Sequence, residues 1–282
     1  MIKKIGILGS GLMGSGIAQV CAMSGFEVCL FDIANDQLKK ARENTEKSLK
    51  KLAAKGKLTE AEVEKAIKNL NITTQFADLK NSDFCIEAVT ENPDLKKKIF
   101  GELDQLLAPS VILATNTSSV PIALLAEVTK RPDKVIGMHF MNPVPLMECV
   151  EIIRGAQTSD TTHQTTLELT KKLGKTPVTV KDSPGFVVNR ILIPMLNEAV
   201  YCLQEGLAGK EEIDLSMKIS CNFPMGPLTL ADFVGLDTCL FIMEVMHKGL
   251  KQDKFKPCPL LRKYVEEGKL GRKSGEGFYS YK

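Results

Sequence analysis

Tryptophan is absent from the 282 residues and aromatic side chains make up only 6 % of them, so no interleaved aromatic platform for nucleic-acid bases is available. There is no arginine-rich arm either, and a formal net charge of +3 is too small to argue for a nucleic-acid partner. Any anionic ligand must be recognised locally. No apolar run approaches the roughly 20 residues that a membrane span requires, which speaks against a membrane partner. The opening residues, Met1-Ile2-Lys3-Lys4-Ile5, lead directly into a strand-like segment without the apolar stretch and small-residue cleavage site of a secretory leader, so the expected location is cytoplasmic. The eight cysteines, at positions 21, 29, 85, 149, 202, 221, 239 and 258, form no C-x-x-C pair and lie at no zinc-finger spacing from a histidine. No metal is expected. In settings such as Val28-Cys29-Leu30 and Phe84-Cys85-Ile86 the thiols read as small hydrophobes of a reducing compartment.

What is present is ordinary for a globular protein, 44 % apolar and 25 % charged residues, and the length favours two domains over one. From residue 2 to about 180, short apolar runs alternate with longer segments of helical period. Ile5–Leu8, Val28–Phe31, Phe84–Val89, Val111–Ala114 and Val135–Met138 are nearly continuous hydrophobic runs, as strands covered on both faces require. Asn92-Pro93 has the form of a helix cap followed by proline at the first helical position, predicting a helix to about Leu107. After Val178-Thr179-Val180 the breaker cluster Asp182-Ser183-Pro184-Gly185 marks a boundary. Beyond it Phe186–Gln204, Lys210–Ile219, Leu228–His247 and Leu260–Glu267 read as helices, the first kinked or broken by Pro194. The expected class is α/β: a Rossmann-type doubly wound sheet over residues 1–183, then a smaller all-helical domain over residues 184–282.

Gly9-Ser10-Gly11-Leu12-Met13-Gly14 follows the first strand and opens the helical segment Leu12–Ser24, which is the context that gives a G-x-G-x-x-G pattern meaning. Glycine allows the tight turn and the close approach of backbone to a pyrophosphate, and the helix start supplies N–H donors. Asp32 stands at the end of the second strand, 18 residues after Gly14, where a carboxylate can accept hydrogen bonds from both ribose hydroxyls and repel a 2′-phosphate. The cofactor expected is therefore NAD rather than NADP.

A second constellation lies in His139-Phe140-Met141-Asn142-Pro143-Val144-Pro145-Leu146-Met147-Glu148-Cys149-Val150-Glu151. If its two strand-like ends fold back around residue 145, His139 and Glu151 face each other. A carboxylate within Cys149–Ile153 is at least partly buried and needs a partner, and a His–carboxylate pair near such a cofactor suits proton transfer coupled to hydride transfer. An isolated histidine can equally be a satisfied core residue. Ser118 and Asn116 could likewise cap a helix beginning near Val120, and Asn189 could be an interior helix residue. The basic stretch at positions 39, 40, 42, 47, 50, 51, 55 and 57 reads by default as a solvated helix face.

Taken with Asn116-Thr117-Ser118-Ser119, Gly137–Pro143, Pro184–Arg190, Pro224-Met225-Gly226-Pro227 and Gly271–Tyr279, these segments give a chain that resembles the short-chain L-3-hydroxyacyl-CoA dehydrogenase family over its whole length, most closely its bacterial 3-hydroxybutyryl-CoA branch. The resemblance implies reversible NAD(H)-dependent interconversion of (S)-3-hydroxyacyl-CoA and 3-ketoacyl-CoA, with acetoacetyl-CoA and 3-hydroxybutyryl-CoA as the expected pair. It implies His139 as catalytic base, Glu151 orienting it, and Ser118, Asn142 and Asn189 around the reacting group, with Ser118 and Asn142 touching cofactor too. It also implies cofactor contacts from Glu91, Lys96 and Lys273. Coenzyme A carries three phosphate groups, so a basic helical hairpin with Lys50, Lys51, Lys55 and Lys57 is a candidate dock for its nucleotide end. The apolar stretch Phe233–Met246 and the resemblance together suggest a homodimer through the helical domain. The competing readings are another hydroxyacid dehydrogenase of the Rossmann-plus-helical type, which generally relies on a catalytic lysine, and a non-catalytic NAD-binding protein.

Overall fold

The computed structural model describes residues 1–281, and the chain divides into two compact units, Met1–Ser183 and a second beginning at Pro184. The first is an α/β unit whose strands are β1 (Lys4–Leu8), β2 (Glu27–Phe31), β3 (Leu70–Thr73), β4 (Phe84–Glu87), β5 (Ile112–Thr115), β6 (Val135–Phe140), β7 (Cys149–Arg154) and β8 (Thr176–Lys181). They form an eight-stranded sheet in the order β3-β2-β1-β4-β5-β6-β7-β8. Every adjacent pair is parallel except β6 and β7, which run antiparallel. Ile5, Ile7 and Leu8 of β1, and every residue of β4, β5 and β6, are buried, because helices cover both faces of the central strands. Strand order reverses between β1 and β4, the switch point at whose carboxyl ends doubly wound sheets take ligands.

The helices of this unit are α1 (Leu12–Met23), α2 (Asn35–Ala54), α3 (Glu60–Asn69), α4 (Pro93–Leu106), α5 (Ile122–Ala126) and α6 (Asp160–Lys172). α4 starts as its sequence predicts: the Asn92 side chain accepts the Leu95 N–H at 3.0 Å, and Pro93 fills the first helical position. Its far end is closed by a residue distant in sequence. Arg131, 6 % exposed, donates to the carbonyls of Asp104 (2.7 Å), Leu107 (2.9 Å) and Ala108 and to the Asp104 carboxylate (2.7 Å), satisfying acceptors that the helix leaves open. β3 has no counterpart among the predicted strands, being only four residues long and continuous with the end of α3.

The second unit consists of α7 (Val188–Gln204), α8 (Lys210–Ser220), α9 (Pro227–Val234), α10 (Leu236–Leu250) and α11 (Pro259–Glu266) around a core that includes Ile193, Leu196, Val200, Leu228, Met243 and Leu261. One sequence expectation fails here. The helix expected over 228–247 is two helices, because Gly235 at φ +102° takes a conformation that ends α9 and starts α10. α7, in contrast, runs through Pro194 without ending. Proline in a helix interior costs about 3 kcal/mol. Burial of the flanking Ile193 and Leu196, each 1 % exposed, returns about 1.5–3 kcal/mol apiece.

Arg131→Met removes the guanidinium donors at the end of α4 and leaves the Asp104 carboxylate, itself 6 % exposed, without its cation. Loss of one partner from a buried pair costs about 3–5 kcal/mol. Urea unfolding followed by circular dichroism should show a loss of that size for the first unit; an unchanged midpoint would mean that the cap contributes nothing.

Candidate active site

The turn from β1 into α1 brings backbone segments closer than any side chain would permit. Gly9 lies at φ +94°, a Cβ there would stand 2.6 Å from the Ala88 carbonyl oxygen, and a Cβ on Gly14 would overlap the Gly9 carbonyl oxygen. Gly11 caps α1 without a side-chain hydrogen bond, so the first N–H groups of the helix are available to a ligand. Leu12 is 72 % exposed, whereas Met13 packs on the core of the unit. Asp32, just beyond β2, is tied to this turn: its Oδ2 accepts from the Ser10 N–H (2.7 Å) and hydroxyl (2.8 Å), and its Oδ1 from the Ala34 N–H (3.0 Å). A fixed negative charge therefore sits beside a backbone cradle, an arrangement that fits a dinucleotide with a free ribose diol.

At the carboxyl ends of β4 and β5 lies a buried ionic network. Lys96, 1 % exposed, donates to Glu87 Oε1 at 2.7 Å and pairs with Glu91 Oε2 at 3.2 Å. Glu87 has no solvent exposure and completes its shell with the Thr115 hydroxyl (2.7 Å) and the Val89 N–H (2.7 Å). Glu91 Oε1 accepts from the Thr117 hydroxyl (2.5 Å), the Ser118 and Ser119 N–H groups (2.8 and 2.9 Å) and the Ser119 hydroxyl (2.8 Å). Burial by itself would raise the Glu91 carboxyl, but Lys96 and the Thr117, Ser119 and Ser118 donors outweigh it and hold it below its ordinary value. Glu91, Lys96 and Ser118, singled out in the sequence, thus form one cluster. Glu87 was not singled out, although a carboxylate inside an apolar strand run is itself a signal that a cation must be near.

β6 and β7 pair with His139 opposite Glu151, the register expected from a fold-back near residue 145. His139 Nδ1 lies 2.8 Å from Glu151 Oε2, with the residues 7 % and 1 % exposed. The preceding segment is fixed from β5: Asn116 Oδ1 accepts the Phe140 N–H at 2.9 Å. Asn116 and Ser118 are therefore not helix caps. The N–H groups that open α5 go instead to the Asp182 carboxylate, at 2.7 Å from Ile122 and 3.3 Å from Ala123.

A cavity of about 600 Å³ opens between α1, α2 and the 142–146 turn. From α2 and its C-terminal end it receives Lys40, Asn44, Ser48, Lys51 and Lys55, residues three or four apart and hence on one helical face; Asn142 lines it from the turn. Lys50 and Lys57, proposed alongside Lys51 and Lys55, are exposed residues outside that lining. Ser48, missed in the sequence, also receives a hydrogen bond from the Gln19 amide at 3.0 Å, and its membership of the same helical stripe was a usable signal. In the second unit, Asn189 is buried in the first turn of α7, and Lys273 is paired with Asp237 at 2.5 Å. Among the described residues no group of three His, Cys, Asp or Glu side chains is arranged to hold a metal ion, and no helix is long and apolar enough to cross a membrane.

Residues 4–183 match the family model described as 3-hydroxyacyl-CoA dehydrogenase, NAD binding domain, and residues 185–281 match that of the 3-hydroxyacyl-CoA dehydrogenase C-terminal domain. The 3-hydroxybutyryl-CoA dehydrogenase of Bradyrhizobium diazoefficiens is 49 % identical over 282 residues, covering 100 % of this chain and 96 % of its own. The human mitochondrial hydroxyacyl-coenzyme A dehydrogenase is 43 % identical, covering 100 % of this chain and 92 % of its own. Among solved structures, the (S)-3-hydroxybutyryl-CoA dehydrogenase of Ralstonia eutropha superposes with a TM-score of 0.97 at 52 % identity, each chain covered completely.

The lowered Glu91 carboxyl carries a pH signature. A carboxyl that is more acidic folded than unfolded adds stability that is complete above its unfolded pKa and disappears as pH falls through its folded pKa. The stability difference between wild type and Glu91→Gln should therefore narrow as the pH drops below about 4.5, in urea titrations between about pH 3 and 7. A difference that stays constant over this range would contradict the assigned environment.

Proposed function

The chain belongs to the 3-hydroxyacyl-CoA dehydrogenase family, and on that premise we propose that it is an NAD(H)-dependent oxidoreductase that interconverts (S)-3-hydroxybutyryl-CoA and acetoacetyl-CoA. The observation that carries the reading is the buried His139–Glu151 pair, 2.8 Å apart, in the same α/β unit as the glycine turn and Asp32. Gly9, Ser10, Gly11, Leu12, Met13 and Gly14 form the turn for the dinucleotide, Asp32 takes the ribose, and Glu91, Lys96, Ser118, Asn142 and Lys273 complete the cofactor contacts. When bound, that cofactor supplies or accepts the hydride at the carbon that alternates between ketone and secondary alcohol.

His139 handles the proton at the substrate oxygen. With Nδ1 directed at the Glu151 carboxylate, Nε2 is the nitrogen that exchanges a proton with substrate, donating it in ketone reduction and taking it in alcohol oxidation. Glu151 fixes the tautomer and the orientation of the ring. Ser118, Asn142 and Asn189 position the substrate, and Lys51 and Lys55, with Lys40, are the cations of the cavity best placed for the phosphates of coenzyme A. Residues 1–183 serve as the cofactor domain, and the helical remainder serves substrate binding and self-association. Exposed Ile191, Leu215, Ile219 and Phe241 support a homodimer through that unit. Eight free cysteines support a reducing, cytoplasmic setting.

Initial rates with acetoacetyl-CoA should show NADH preferred to NADPH by at least about tenfold, since Asp32 would face a 2′-phosphate. Comparable rates with both would remove Asp32 from its role. Positioned acid–base groups contribute about 100- to 10,000-fold, so His139→Gln should lower turnover by that order while NADH still binds. Glu151→Gln should also lose activity, and the double variant should lose far less than the product of the two. Losses that simply multiply, or near-normal turnover in His139→Gln, would make His139 a structural residue.

A further inference from the structure

Lysine is almost never fully buried without a charged partner, and a buried charge rarely stabilises a fold as well as an apolar residue of similar volume. Lys175 is only 9 % exposed, and the acceptors of its ammonium group are two backbone carbonyls, Val144 O and Met147 O, each at 2.7 Å. Burial pushes the ammonium group below its ordinary pKa, with Glu148 opposing. The residue stands between α6 and the edge strand β8, and its backbone is secured on both sides. Its own N–H goes to Thr170 O at 3.1 Å, and the Thr176 N–H goes to Glu148 O at 2.8 Å.

The carbonyls it holds belong to the turn that walls the 600 Å³ cavity opposite α2. Within this turn the Pro143 carbonyl accepts both the Leu146 and Met147 N–H groups at 3.0 Å, while the carbonyls of 144 and 147 find their donors in Lys175. On the other side Val144 is seated on α1 at Gly16, where a Cβ would stand 2.9 Å from the valine. Clamped from both sides, the turn presents Pro145 and Leu146 to the cavity, facing the row of Lys40, Lys51 and Lys55. Leu146 stays 61 % exposed despite being apolar. An apolar wall facing a cationic row matches a ligand with an extended arm and several phosphates.

We propose that Lys175 is a positioning residue for the acyl-CoA ligand, acting through the 143–147 turn to hold the cavity wall in place. This rests on the acyl-CoA activity stated above. Lys175→Met keeps the aliphatic stem and removes the donors, so the KM for acetoacetyl-CoA should rise about tenfold, with kcat falling less than about twofold and the Kd for NADH unchanged. Lys175→Gln, whose amide offers two N–H donors, should show a smaller rise in the same constant. If the methionine variant does not fold, the glutamine variant decides on the same criterion. A KM unchanged in folded variants, or a KM and NADH Kd that move together, would overturn the assignment and leave Lys175 a stabilising residue. Wild type that fails to turn over acetoacetyl-CoA would be a different failure, overturning the activity and with it the inference, before any variant is compared.

Discussion

The ammonium group of Lys96 has almost no access to water, and the layout of the candidate site follows from how that charge is satisfied. Withdrawing an ion from water costs several kcal/mol, so the lysine persists only because Glu87 approaches to 2.7 Å and Glu91 to 3.2 Å. That requirement sets the start of α4 against the end of β4. Glu91 also takes the N–H groups of Ser118 and Ser119, which fixes the segment after β5. Asn116 in this segment holds the Phe140 N–H, and the residue before Phe140 is His139. Hydrogen bonds and short stretches of backbone thus link the Lys96 network to the His139–Glu151 pair.

Local charge governs ligand recognition here far more than the net charge of +3 does. Exposed charges are screened beyond about 8–10 Å, so what a ligand meets is the Asp32 carboxylate at the glycine turn and the cationic stripe of α2. Under the proposed function the carboxylate beside the turn takes the ribose diol, and the ammonium groups along α2 take phosphates. The 142–146 turn contributes no charge to the cavity, and Lys175 and Gly16 contact it from two sides.

Much of this was determined by the sequence alone. Continuous apolar runs set β1, β4, β5 and β6, the Asn92-Pro93 pair set the start of α4, and a proline-rich fold-back placed His139 against Glu151. Each depends on residues within about a dozen positions of one another, where periodicity, capping and turn chemistry act directly. The α2 stripe was legible as well, but not the face that meets the cavity. Only the tertiary structure decided that Lys51 and Lys55, and not Lys50 and Lys57, line it. It also decided that Glu87 finds Thr115 28 positions away and that Lys175 reaches carbonyls 28 and 31 positions away. Helical period could not reveal the break at Gly235, because apolar spacing continues on both sides of it. The dividing line is physical. Local pattern determines which face of an element is buried, whereas strand order and register, set by packing the whole unit, determine which distant polar group that face must satisfy.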